Sequence, residues 1–160
     1  MIKFSKILIW RVGMHELFMR EALKEAQKAF NLKEVPIGAV IVHNGKIIGA
    51  GHNMRETLKD PTAHAEIIAI RKASSYLGGW RLIDCEMYVT VEPCPMCAGA
   101  AVMARLKHIY IGAMDKKGGA AGSVMNILND NRLNHTVSYT TGVLQTQCEK
   151  IMKDFFQQLR

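Results

Sequence analysis

The sequence predicts an α/β protein with three layers, in which helices cover both faces of a central mixed sheet of five strands. Apolar runs of strand length alternate along the chain with segments in which apolar residues recur at helical spacing, and this alternation is typical of a layered α/β fold. The Asn44–Gly45 pair lies between two apolar runs and indicates an antiparallel hairpin. We therefore expect a mixed sheet rather than a purely parallel one.

The length of the chain favours one domain. A chain of 160 residues can bury a sizeable core but hardly two, so we expect a single domain over residues 14–160. Residues 1–13 combine three basic side chains with the apolar stretch ILIW, but they lack the longer apolar segment and small-residue cleavage site of a signal peptide. We predict a loosely ordered N-terminal extension there.

Charge and hydropathy limit the classes of partner. No apolar run approaches the roughly 18 residues of a membrane span, so we expect no membrane association and a cytoplasmic location. The formal net charge is +7, and the extension supplies three of the positive charges. A basic body is compatible with a polyanionic partner, although a solvated basic surface explains the charge equally well.

The first half of the chain is predicted to form a helix, a hairpin and a second helix. Apolar residues such as Phe18, Ala22 and Ala26 recur at helical spacing over residues 14–31. The runs VPIGAVIV and KIIGAG then form the hairpin. Thr62 is predicted as the N-cap of a helix that begins with good helix formers at Ala63.

The second half alternates strands and helices. MYVTV (87–91) predicts a strand, EPCPMCAGAAVMARL a helix, and HIYIGA (108–113) another strand. The loop KKGGAAGS is predicted to end in a short helix from Ser123, before an extended segment over 136–142 and a last helix over 144–159. In that helix Phe155 and Phe156 cannot share one face, so we expect one to be buried and the other exposed. Three methionines are predicted to fill the core: Met96, Met103 and Met125.

Cysteine usage indicates a metal or redox site. Cys94 and Cys97 form a C-x-x-C pair, whereas Cys85 and Cys148 are isolated. In a reducing compartment such a pair is more typical of metal or redox use than of a disulfide framework. The two isolated cysteines are predicted to be buried free thiols.

His64 and Glu66 precede the C-x-x-C pair by about 30 residues, and both pairs open predicted helices that follow strands or extended chain. Helix starts of this kind meet at one edge of an α/β sheet. One imidazole and two thiolates make a typical catalytic zinc site with an open fourth position. We therefore predict that His64, Cys94 and Cys97 hold Zn²⁺, while Glu66 faces the bound water.

This arrangement predicts hydrolytic deamination. Zinc lowers the pKa of its bound water toward neutrality, and an adjacent carboxylate can move protons to a ring nitrogen and to the leaving amine. A closed structural zinc site would need a fourth ligand, for which His52 and His108 are the candidates. A redox pair would leave His64 and Glu66 without a role. Zinc deaminases are the established example of the combined signature H-x-E…P-C-x-x-C.

The segments around these residues resemble the cytidine-deaminase-like superfamily of zinc deaminases, and more closely its tRNA-specific adenosine deaminase branch. HAE and PCPMC carry the superfamily resemblance. EVPIGAVIV, HNMRETLKDPTAHAE, WRL, DKKGGAAGS and FFQQLR carry the resemblance to the tRNA branch. It covers residues 14–160, with Met114 and Lys116 as departures that leave the geometry of their loop open.

The resemblance implies a cytidine-deaminase-like fold, a homodimer with composite sites and a tRNA anticodon stem-loop as substrate. It also implies one Zn²⁺ per subunit and conversion of adenosine to inosine at the wobble position, with Glu66 as the proton shuttle. Nine residues are implied to bind the nucleoside or the RNA loop: Asn53, Val35, Pro36, Ala65, Lys117, Asn134, His135, Phe156 and Arg160.

Two other functions share the same residues. A deaminase of free bases or nucleosides, such as cytosine or guanine, would use an identical metal site. A zinc-stabilised RNA-binding module without catalytic activity would keep the ligands but would not need Glu66.

Overall fold

The computed structural model describes the backbone of residues 2–159 and the side chains of residues 13–159. The elements in chain order are α1 (Ile2–Asn31), β1 (Gly38–His43), β2 (Lys46–His52), α2 (Arg55–Leu58), α3 (Ala65–Leu77), β3 (Cys85–Val91), α4 (Pro95–Met103), β4 (His108–Ala113), β5 (Ser138–Thr141) and α5 (Gln145–Gln158).

Helix α1 begins at Ile2, N-terminal to the predicted start at residue 14. The side chains of residues 1–12 lie outside the described part of the chain. The loosely ordered extension over residues 1–13 and the single domain over 14–160 therefore stay predictions.

The five strands form one mixed sheet in the order β2-β1-β3-β4-β5. Strand β1 is antiparallel to both β2 and β3, whereas β3, β4 and β5 run parallel. Asn44 and Gly45 both have positive φ (50° and 75°), as a tight hairpin turn requires. The predicted mixed five-stranded sheet is confirmed.

Helices cover both faces of the sheet. Alternate residues of β1 point to opposite sides: Ile41 packs in the core that includes α3 and α4, and Val40 packs in the core beneath α1 and α5. Because β3 and β4 are parallel and are joined through α4, their carboxyl ends meet at one edge of the sheet. The three-layer architecture is confirmed, and this edge carries the site.

Two local predictions are wrong. Helix α3 begins at Ala65 with His64 as its N-cap residue, whereas Thr62 donates both its backbone N–H (2.8 Å) and its hydroxyl (2.7 Å) to Asp60 Oδ1. Asp60 therefore holds Thr62 in a turn before the helix. No helix begins at Ser123, because its N–H and hydroxyl bind Glu92 instead.

Burial separates correct from incorrect predictions of the core. Phe155 is buried and Phe156 is 47% exposed, so the predicted division of this pair is confirmed. The predicted core role of the methionines is wrong for Met103, 64% exposed at the end of α4, and for Met125, 44% exposed in the loop before β5. No described helix is both long enough and apolar enough to cross a membrane.

Candidate active site

Helix α3 approaches β2 closely, and this approach positions the first histidine of the site. A Cβ on Gly51 would lie 2.4 Å from the carbonyl oxygen of Ala65, so only glycine lets the helix start so near the strand. His64 precedes the helix with extended backbone (φ −79°, ψ 153°). Its side chain therefore projects from the helix start rather than along the helix surface.

The second half of the site comes from the turn between β3 and α4. Cys94 is the N-cap residue of α4 with extended backbone, Pro95 occupies the first helical turn as predicted, and Cys97 follows in the same turn. The N-terminal end of a helix favours negative charge. The helix start therefore favours negative charge at this pair of sulfurs.

The two halves converge. Nδ1 of His64 lies 3.6 Å from Sγ of Cys94 and 3.5 Å from Sγ of Cys97, and all three ligand atoms lie within 4.8 Å of one another. Tetrahedral zinc with Zn–N near 2.05 Å and Zn–S near 2.3 Å separates nitrogen from sulfur by about 3.6 Å. The donor set and its spacing therefore fit a metal ion.

The two thiols of this cluster have very different proton affinities. The hydrogen bond between them lowers the pKa of Cys94 to about 4, while the same hydrogen bond and burial raise the pKa of Cys97. A cation bound by both sulfurs would favour the thiolate form of each. In contrast, burial raises the pKa of Cys85 to about 11 and that of Cys148 to about 12, and both are buried free thiols as predicted.

Glu66 is buried beside the cluster. Its side chain is 4% exposed, and burial, followed by the nearby Cys94, raises the pKa of its carboxyl group to about 7. Glu66 lines a small cavity of about 100 Å³. The other residues that line this cavity are Val35, Ile37, Asn53, Arg55, His64 and Ala65.

A buried carboxylate that sequence reasoning missed orients Asn53. The Asn53 Nδ2 group donates to Glu34 Oε2 (3.4 Å) and to the Val35 carbonyl oxygen (3.3 Å). Glu34 is 1% exposed and accepts a 2.6 Å hydrogen bond from the Thr57 N–H. Burial disfavours the charge, but the hydrogen bonds from Thr57 outweigh it and lower the pKa of Glu34. These hydrogen bonds therefore hold the amide nitrogen of Asn53. The only sign of Glu34 in the sequence was an acidic residue at the start of an apolar run.

A second, wider cavity of about 480 Å³ adjoins the first, because Val35 and Ile37 line both. Two of the predicted RNA-binding residues, Lys117 and Phe156, line it. Its remaining lining residues are Val91, Ala113, Met114, Asp115, Glu149 and Met152. A wider groove with an exposed aromatic ring and a lysine therefore adjoins the small pocket.

Among the described residues, three other predicted substrate contacts line neither of these cavities. His135 binds the carbonyl oxygen of Leu106 through Nε2 (2.9 Å), ahead of β4 and at the opposite end of that strand from the site. Asn134 precedes it on an exposed loop. Pro36 does not line either cavity, and Arg160 lies outside the described residues.

Comparison with known proteins gives the class of this chain. Residues 14–160 match the model of the MafB19-like deaminase family, so the chain belongs to that family. The resemblance extends to a solved structure from studies of A-to-I editing by tRNA:A34 deaminases, with a TM-score of 0.81 and 42% identity over 84% of this chain and 97% of the other. A guanine deaminase structure from Bacillus subtilis matches with a TM-score of 0.62 and 45% identity over 68% of this chain and 70% of the other.

Curated relatives narrow the class further. The tRNA-specific adenosine deaminase of Bacillus subtilis is 50% identical over 145 residues, which cover 91% of this chain and 90% of the relative. The enzyme of the same name from Streptococcus pyogenes serotype M18 is 50% identical over 143 residues, covering 89% and 90%. The chain is thus an enzyme of the tRNA-specific adenosine deaminase family, within the cytidine-deaminase-like fold.

Proposed function

We propose that this protein catalyses the zinc-dependent, hydrolytic deamination of adenosine to inosine at the wobble position of a tRNA anticodon loop. The observation that carries the proposal is the convergence of His64, Cys94 and Cys97 beside a buried Glu66, which lines a small cavity together with His64. Relatives at 50% identity that are named tRNA-specific adenosine deaminases support the substrate.

Three residues of the site would hold the metal, and a fourth would move protons. His64, Cys94 and Cys97 hold the metal, and zinc in such sites supplies activation of water at neutral pH. Glu66 would pass one proton of the attacking water to the ring nitrogen, and would then pass the second, from the oxygen added to the base, to the departing amino group. Its burial excludes bulk water, so the proton stays between carboxylate and base.

In this proposal the pocket binds the target nucleoside, and the groove binds the neighbouring nucleotides of the RNA loop. Asn53 hydrogen-bonds the flipped nucleoside. Val35 and Ala65, which line the pocket, frame the base, and Pro36 supports this wall from its place between Val35 and Ile37 in the chain. Lys117 and Phe156 lie along the groove, where a cation meets phosphate and an exposed ring stacks on a neighbouring base. A single-stranded loop suits this arrangement, because its bases are splayed out at low cost.

Asn134, His135 and Arg160 complete the RNA surface in a homodimer. Asn134 and His135 lie away from the pocket of their own chain, so in our proposal they contact RNA bound to the partner copy. Exposed apolar side chains such as Met103 and Met125 support an interface between two copies. We expect the enzyme to act in the cytoplasm, where tRNA is used.

The test of the activity is incubation of pure protein, with bound zinc measured, with an anticodon stem-loop that carries a wobble adenosine. Nucleoside analysis should find inosine, and Glu66→Ala should bind zinc and RNA but release no ammonia. Glu16→Gln, on the surface of α1 and paired with Arg20, is the matched carboxylate control and should keep wild-type turnover. Absence of inosine at high concentrations of zinc-loaded enzyme would contradict the proposal.

The likeness to the guanine deaminase structure favours a second candidate, deamination of a free base. Both candidates use the same metal ligands and Glu66, so these residues do not distinguish them. Salt dependence does, because phosphate contacts release counterions and make log K fall steeply with log salt. Turnover of free guanine or cytosine, with RNA affinity insensitive to salt, would favour the second candidate.

A further inference from the structure

Glu92 is a buried carboxylate between the end of β3 and the turn that carries Cys94. Its side chain is 3% exposed. Oε1 accepts hydrogen bonds from the N–H groups of Ala121 (2.9 Å) and Ser123 (3.0 Å), and Oε2 accepts from the Asp115 N–H (2.8 Å) and the Ser123 hydroxyl (2.5 Å). Among the described residues no basic side chain forms an ion pair with it. The loop amides therefore compensate its charge.

The loop over residues 114–123 is shaped around this carboxylate. A Cβ on Gly119 would lie 2.2 Å from the carboxyl carbon of Glu92, so only glycine lets the loop backbone lie this close to the carboxylate. Two backbone bonds join the same segments, from the Glu92 N–H to the Ala113 oxygen and from the Ala120 N–H to the Pro93 oxygen, both 2.8 Å. Glu92 therefore joins this loop to the turn between β3 and α4 that carries Cys94.

This loop also carries the cation of the substrate groove. Lys117 lines the groove, and its N–H donates to Asp115 Oδ1 (2.9 Å), while the Asp115 N–H donates to Glu92. The position of Lys117 thus follows from the loop conformation that the Glu92 carboxylate holds.

We propose that Glu92 is a positioning residue for RNA binding: it holds the loop over residues 114–123 so that Lys117 faces the phosphates of the bound loop. The inference rests on the proposed function. The inference predicts that removal of the Glu92 charge weakens RNA binding. Electrostatics alone predicts the opposite result, because loss of a negative charge near an RNA groove should strengthen binding.

The test is Glu92→Gln, which keeps the shape but turns an amide N–H₂ toward two donors of the loop. We expect the KM for the anticodon stem-loop to rise roughly tenfold, the scale of one hydrogen bond to a charged group, with kcat within about twofold of wild type. The slope of log K against log salt should fall in magnitude by about 1, for one phosphate contact. Zinc content should be unchanged, and amide exchange at Ala121 and Ser123 should be faster.

Two comparisons make the result specific. In a double-mutant cycle, Glu92→Gln should add little to the loss caused by Lys117→Ala, because both remove the same contact. Glu16→Gln removes an exposed carboxylate of α1 that pairs with Arg20 and lines neither cavity; it should bind the stem-loop as tightly as wild type.

Unchanged or tighter RNA binding by Glu92→Gln, additive losses in the cycle, or loss of zinc would each overturn the inference. If Glu92→Gln does not fold, Ser123→Ala removes only the hydroxyl contact and should raise KM about threefold; no rise there would equally overturn it. Failure of the proposed function has a different signature, because the wild-type protein would then produce no inosine, while amide exchange in Glu92→Gln would still report whether Glu92 holds the loop.

Discussion

Gly51→Ala tests how closely helix α3 must approach the sheet for the metal site to form. The added Cβ would lie 2.4 Å from the Ala65 oxygen and 2.8 Å from the Ala69 N–H nitrogen. Ordinary contact begins near 3.4 Å, so the start of α3 must move by about 1 Å, the difference between 3.4 and 2.4 Å. Since His64 caps this helix, its Nδ1 should leave the 3.5–3.6 Å spacing to the two sulfurs.

The expected cost has two parts. Overpacking should lower the free energy of unfolding by about 1–3 kcal/mol, and misplacement of one ligand should weaken zinc affinity by about 10–100-fold, as loss of a ligand-orienting contact does. Zinc affinity is measured by competition with a chelator, and stability by denaturant unfolding of the zinc-loaded protein.

The matched control is Gly79→Ala, because nothing lies within 4 Å of the position of its Cβ. This variant should bind zinc with wild-type affinity. If Gly51→Ala also binds zinc with unchanged affinity and unfolds with unchanged free energy, the contact between α3 and β2 does not position His64, and the reasoning is refuted.

Three further predictions concern buried and exposed groups. Glu34→Gln should remove one of the two hydrogen bonds that hold the Asn53 amide and lower kcat/KM by about tenfold. Because the pKa of Glu34 is lowered in the folded state, its contribution to stability is present above the unfolded-state pKa near 4.5 and disappears as pH falls through the folded value. Denaturant unfolding from neutral pH to pH 3 should show the stabilities of the two proteins converging, and a constant difference would contradict the assignment. In a thiol titration of folded protein, Cys85 and Cys148 should stay unreactive even after zinc removal, because both are buried and their pKa values are raised to about 11 and 12, and rapid labelling of four thiols without denaturant would be inconsistent with that burial. Phe156→Ala should leave the free energy of unfolding within about 0.5 kcal/mol of wild type but raise the KM for RNA. Phe155→Ala, at the buried neighbour, should lower the free energy of unfolding by about 3–5 kcal/mol. Equal losses of stability would contradict the division of the two rings between surface and core.

Local patterns predicted much of the architecture because they depend on neighbours in sequence. The Asn44–Gly45 turn predicted the hairpin, and the alternation of elements predicted the mixed, three-layer fold, both confirmed by the topology. The start of α3 was predicted two residues early, because Thr62 donates its N–H and hydroxyl to the nearby Asp60 and forms a turn instead of capping the helix.

The sequence by itself determined which residues are the candidates for the site: His64, Glu66, Cys94 and Cys97 belong to short motifs at helix starts, and such motifs encode local conformation. Only the tertiary structure decided what surrounds them. Glu34, Gly51 and Glu92 act through contacts with residues 14 or more positions away in the chain, and no local pattern specifies such partners. Their roles depend on how the whole sheet brings distant segments together, because packing, unlike a turn or a helix start, is a property of the complete fold.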